Sequence, residues 1–110
     1  MILFLAVILI VLVVVCAKKI KLSQNEKNII GTWKNSNSEN VITVQDSDTL
    51  ILYNDIPEAG LYHGNASYHF SYTDTICVTQ DDISAEFCVD VDENQLIIYF
   101  AGQVYLVLQK

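Results

Sequence analysis

Sixteen consecutive apolar or small residues, Ile2 through Ala17, follow the initiator Met and stop at Lys18-Lys19. No charge interrupts them. A helix rising about 1.5 Å per residue would carry this stretch roughly 24 Å, a little short of a hydrocarbon core of about 30 Å. Snorkelling of Lys18, Lys19 and Lys21, with slight thinning of the bilayer, covers the shortfall. The expectation is an uncleaved single-pass membrane anchor at 1–17. A cleaved signal is the alternative: Val15-Cys16-Ala17 offers residues a signal peptidase tolerates, which would give a chain secreted after Ala17, although no basic region precedes the apolar stretch. Lipidation at Cys16 is a third reading, disfavoured by Val15 where such signals want a small residue. Orientation stays open, since the lysines lie only on the C-terminal flank and favour a cytoplasmic domain, whereas a sequon and a cysteine pair (below) favour the opposite side.

Residues 18–28 read as a polar juxtamembrane linker in which Ser23 to Asn28 can form one or two helical turns capped by Ser23. Residues 29–110 suffice for one small core and not for two. The net charge is −7, and beyond Leu22 only Lys27, Lys34 and Lys110 oppose all thirteen carboxylates, three minus thirteen, or −10. With no Arg anywhere, this surface repels phosphate backbones, so nucleic acid is not an expected partner.

From Ile29 onward, short β-rich runs alternate with turn residues, the pattern of an all-β barrel or sandwich. Ile29 to Asn35 is the first expected strand. Asn40 to Gln45 and Thr49 to Asn54 flank Asp46-Ser47-Asp48, which puts Ile42, Val44, Leu50 and Leu52 on one face. Leu61 to His63 and Ala66 to Tyr72 flank Gly64-Asn65, Thr75 to Thr79 and Ala85 to Val91 flank Gln80 to Ser84, and Gln95 to Phe100 and Gln103 to Leu108 flank Ala101-Gly102. The fold class that follows is a small up-and-down antiparallel meander or barrel of about eight strands. The last hairpin is apolar on both faces, where a strand with one wet face should alternate. Either the domain covers both faces itself, or a partner, the membrane surface or the anchor covers one. Ile97, Tyr99, Val104, Leu106 and Leu108 are the candidate interface residues.

Ile30-Gly31-Thr32-Trp33-Lys34, a Gly-x-Trp opening the first strand after a short polar helical segment, resembles the start of lipocalin-like (calycin) barrels, and of fatty-acid-binding proteins. The resemblance implies that Trp33 plugs the closed end and that a late basic residue, here Lys110, packs on its face. The closing Tyr105 to Lys110 is similar to the last strand of small lipocalin-like domains. At about half a lipocalin's length, without room for lid helices, a barrel of this kind fills its interior with its own side chains.

Cys77 and Cys88 become direct cross-strand neighbours in the register that aligns Val78 with Phe87, within disulfide range if they form a non-hydrogen-bonded pair. Such a bridge would contribute roughly 3 kcal/mol and imply an oxidising compartment; two reduced thiols are the alternative. Asn65-Ala66-Ser67 is a glycosylation sequon on an expected hairpin tip. Asp90 to Asn94 has acidic residues at EF-hand-like spacing, but Gln95 and Ala101 stand where that loop needs Gly and Glu, leaving a solvated acidic turn. His63 and His69 project to opposite faces in the expected register, and no Cys–His spacing fits zinc. No nucleophile elbow or activated serine context is present. Accordingly no catalytic residue, cofactor or metal ligand is assigned.

The expected function is that of a non-enzymatic, membrane-anchored β-domain working by protein–protein contact. The organisation of the chain also resembles small virion membrane proteins of large DNA viruses, which implies virion or envelope proteins as partners. The alternative is an envelope-anchored binder of a small apolar ligand, which requires a cavity ringed by Leu52, Tyr68, Phe70 and Phe87.

Overall fold

Period-two alternation along most strands of residues 29–110 leaves each of them one apolar face, and a set of such strands can hide those faces by curling into a cylinder. The computed structural model, which describes residues 20–46 and 48–110, shows this solution. Eight antiparallel strands, β1 (Gly31–Lys34), β2 (Asn40–Val44), β3 (Thr49–Leu52), β4 (Gly64–Tyr72), β5 (Thr75–Gln80), β6 (Ile83–Val91), β7 (Gln95–Phe100) and β8 (Gln103–Gln109), pair in sequence order as a closed up-and-down barrel. The architecture is compatible with a small lipocalin-like barrel. The expected anchor at 1–17 lies outside the described residues, and among the described residues no helix is long and apolar enough to cross a membrane.

Residues 20–28 are helical (α1), so the helix is longer than the expected capped turns and Ser23 lies within it instead of at its cap. Its fixed point is Asn25, buried at 2 % exposure, whose amide donates to Thr73 O at 2.8 Å in the β4–β5 turn. A backbone bond from Ile29 N to Asn25 O closes the last turn, and Ile29 then enters the core. The helix therefore crosses the barrel at the end that carries the β2–β3, β4–β5 and β6–β7 turns.

Trp33 closes this end. Its ring is fully buried, and Nε1 donates to Ile29 O at 2.8 Å, which satisfies the one polar atom that burial would otherwise strand. Lys110 Nζ lies 5.0 Å from the ring centroid and donates to Asn28 O at 3.1 Å. The final side chain thus joins the helix, the first strand and the last strand. Gly31 makes room for it: a Cβ at that position would come within 2.9 Å of Lys110 Cε, and the backbone there has φ of 136°, a conformation other residues rarely adopt.

Two hairpins differ from expectation. Gly64-Asn65 is no turn: both residues belong to β4 and pair with Leu52 and Ile51. The chain reverses instead through Tyr53 to His63, where Pro57–Ala59 form a 3-10 turn, Gly60 takes φ of 75°, and Ile56 and Leu61 exchange backbone bonds. Ile56 and Leu61 are both buried, so this loop caps the opposite end of the barrel with apolar side chains. The β5–β6 reversal is also tighter than expected. Gln80 pairs with Ile83 across Asp81-Asp82, with Asp81 in the left-handed region at φ of 53°.

Closure between first and last strands is short. β1 meets β8 at a single pair, Lys34 with Gln109, because β1 has four residues and β8 seven. The cylinder is sealed at the Trp33 end by side chains more than by ladder bonds. Trp33→Ala should therefore lower unfolding stability by about 3–5 kcal/mol, and Lys110→Ala by about 0.5–1 kcal/mol. Denaturant unfolding of the full chain in detergent, followed by tyrosine fluorescence, measures both; equal losses would contradict the assigned hierarchy.

Candidate functional site

In a regular hairpin turning at Ala101-Gly102, Leu106 would oppose Ile97 and share its face with Val104 and Leu108. The structure inserts a bulge. Phe100 pairs with Gln103 and Tyr99 with Val104, but Ile98 pairs with Leu106, Ile97 with Val107 and Leu96 with Leu108, leaving Tyr105 as the extra residue. Beyond the bulge the faces exchange. Leu108 is buried at 1 % exposure and Leu106 packs on the core, so neither belongs to an outer contact surface, which corrects the expectation for both. Ile97, Tyr99 and Val104 remain outside, joined by Val107, which sequence reasoning missed. Val104 and Val107 are 58 % and 49 % exposed. Because this hairpin is apolar on both faces, composition carried no signal of the shift in parity.

Tyr105 itself leans over the barrel mouth. Its ring meets Phe100 edge-on at 6.4 Å, Phe100 in turn lies 5.2 Å from Phe87, and the Tyr105 hydroxyl donates to Glu58 Oε2 at 2.9 Å. Burial, then the acceptor carboxylate, pushes the Tyr105 hydroxyl above its usual pKa. On the side toward β6, Tyr99 pairs with Cys88 and Ile97 with Asp90. Tyr72, Glu86, Cys88 and Tyr99 line a shallow groove next to this apolar patch, and Tyr72 is 70 % exposed.

The tight Asp81-Asp82 turn moves the β5–β6 register by two residues. Cys77 then opposes Glu86 and Cys88 opposes Thr75, so the expected direct pairing of Cys77 with Cys88 does not occur. Diagonal neighbours on one face stand about 7–8 Å apart, beyond the roughly 4.5 Å between Cβ atoms that a disulfide spans. Both are free thiols, Cys88 exposed and Cys77 half-buried.

Inside the barrel the side chains nearly meet. The internal void measures about 20 Å³ and is lined by apolar residues, Leu52, Tyr68 and Phe87 among them, while Phe70 lies outside its lining. One water-sized sphere fills such a space. The ring required for an apolar ligand is thus occupied by its own side chains. Tyr68 reaches Gln45 O at 3.3 Å, and burial, followed by the charges of Asp48, Glu26 and Asp46, raises its pKa.

Asn65 is exposed on the outer side of β4, not at a hairpin tip. His63 lies in the β3–β4 loop, where its ring Nδ1 meets Asp55 Oδ1 at 2.7 Å and its backbone N–H donates to the same oxygen at 2.9 Å; His69 is exposed on β4. The backbone bond, then the ring contact, holds the Asp55 carboxyl below its ordinary pKa. Asp92 is lowered likewise, by accepting from Asn94 N and then Gln95 N at 2.8 and 2.7 Å, which makes the acidic segment an Asx turn. Among the described residues no three His, Cys, Asp or Glu side chains gather as metal ligands.

Compared with known proteins, the chain matches no family model, no curated protein and no solved structure.

Two outcomes follow from these contacts. Asp55 and Asp92 have folded-state pKa values below the unfolded carboxylate value, so their stabilisation is present above about pH 4 and is lost as pH falls through the lowered values. Melting temperature should decline below about pH 4, and Asp55→Asn and Asp92→Asn should each lessen that decline slightly, since both carboxylates are exposed to solvent. Thiol trapping should label Cys88 faster than Cys77 and yield no peptide cross-linked between them.

Proposed function

We propose that this chain is a membrane-tethered, non-catalytic barrel that works by protein–protein contact through the outer face of β7 and β8. The observation that carries the reading is the contiguous outer patch of Ile97, Tyr99, Val104 and Val107. Two cross-strand pairs make up this patch, and Val104 and Val107 are about half exposed or more. A barrel whose interior is already filled gains nothing by leaving apolar residues in water, so the patch is a surface for a partner. The apolar stretch at 1–17 supplies the tether, and helix α1 leads from it to the Trp33 end of the barrel. The contact hairpin's Ala101-Gly102 turn lies at the end of the barrel opposite α1.

The barrel is further proposed to be a shortened calycin-type cylinder, with Trp33 and Lys110 in the plug positions and without the ligand cavity. An architecture of this kind suits a protein joining a membrane to a shell or to neighbouring envelope proteins, as in small virion membrane proteins. Ligand carriage finds no support in a void of about 20 Å³.

A photo-reactive residue at Val104 of the full chain, in its native membrane, should capture one defined protein, whereas the same group at Asp82 should not. Ile97→Lys and Tyr99→Lys should each reduce that capture at least about tenfold, the scale of losing one interface anchor, with the melting temperature unchanged. Undiminished capture in both variants would remove this face as the interface.

A further inference from the structure

Most of β8, all but its last residue, is a sheet edge left without a strand. Among the described residues β8 meets β1 only at Gln109, so Gln103 to Leu108 have a neighbour on the β7 side alone. Backbone direction follows from the ladder. Lys110 N donates to Asn94 O on the β7 side, and alternation then turns the N–H and C=O of Gln109 and Val107 the other way. Gln109 uses that direction to pair with Lys34. Val107 presents its groups outward with no strand to receive them.

Exposed edges invite pairing, and folded proteins usually guard them with lysine, proline or an inward charge. Gln103-Val104-Tyr105-Leu106-Val107 contains none of these. The edge also borders the apolar patch, since Val104 and Val107 belong to both. An added strand would continue that patch on its outer side and cover the half-buried Leu106 on its inner side.

We propose that β8 receives an extended segment of another protein by strand addition, and that this segment alternates apolar with basic residues. The inference rests on the contact reading of the β7–β8 face and states how that contact is made. Charge selects the occupant. Glu58 lies against Tyr105, on a domain whose carboxylates outnumber lysines thirteen to three beyond Leu22, and Lys34 borders the edge only at its Gln109 end. A lysine-bearing strand is drawn to this edge, whereas a second copy brings another net charge of −7. The backbone ladder provides affinity, and alternate side chains set against Val104, Val107 and Leu106 provide selectivity.

The test uses the full chain in detergent with a short synthetic peptide alternating valine and lysine, and the same peptide with glutamate replacing lysine. Amide exchange at Val107 should slow at least about tenfold with the basic peptide and not with the acidic one. Val107→Pro removes the outward N–H while leaving the β7 ladder intact, a position where an edge strand accepts proline. It should abolish the protection without shifting the melting temperature by more than a few degrees. Absence of protection in the wild-type chain overturns the proposal, as does concentration-dependent protection of Val107 without peptide, which would identify a second copy as the occupant. Capture at Val104 in the native membrane that survives Val107→Pro but fails in Ile97→Lys overturns strand addition and retains the contact face. Capture that survives both variants overturns both.

Discussion

The Trp33 indole is where three parts of the chain that would otherwise drift apart are held together. Its nitrogen is tied to Ile29 O at the end of the helix, its ring lies under Lys110 at the end of β8, and Lys110 in turn reaches Asn28 O. These contacts compensate for a ladder that joins first and last strands at a single pair. A barrel of eight short strands has no spare core, and a fully buried aromatic with its one polar atom satisfied supplies a large share of what it has. Gly31 belongs to the same device, because a Cβ there would displace the end of the lysine side chain that completes the contact.

Much of this was legible in the sequence, for reasons that differ from element to element. The β2–β3 and β7–β8 turns were found where expected, since turn residues are flanked by strong β-formers on both sides. The faces of Ile42, Val44, Leu50 and Leu52 follow from strict alternation. Gly-x-Trp pointed to the pairing of Trp33 with Lys110 over a separation that no local pattern could bridge.

Failures cluster where backbone geometry is set by something other than periodicity. Gly64-Asn65 has turn chemistry, yet the apolar caps Ile56 and Leu61 draw the reversal earlier, and Pro57 with Gly60 makes it possible. The sequence suggests a loop over Gln80 to Ser84, but with Asp81 in the left-handed region the chain turns across two residues and Gln80 pairs with Ile83. That choice separates Cys77 from Cys88. The Tyr105 bulge was invisible because Val104 to Leu108 is apolar throughout, so moving the faces by one residue leaves the composition of each face nearly unchanged.

That same degeneracy links the fold to the proposed contact. A strand that must bury Leu106 and Leu108, yet turn Tyr105 over the barrel mouth toward Glu58, cannot alternate regularly, and the bulge is the local solution. Its consequence is that Val104 and Val107, on either side of the extra residue, both face water. The short β1 has a parallel consequence: it ends at Lys34, where the chain turns through Asn35 to Glu39, and so leaves the outer side of β8 above Gln109 without a strand. Core packing thus explains why Leu106 and Leu108 are apolar, but it gives no reason for Val104 and Val107 to be so. Threonine or lysine would serve the fold equally well at both places and would protect the edge. Apolar residues at such positions, beside unpaired backbone, are what the proposed contact surface would use.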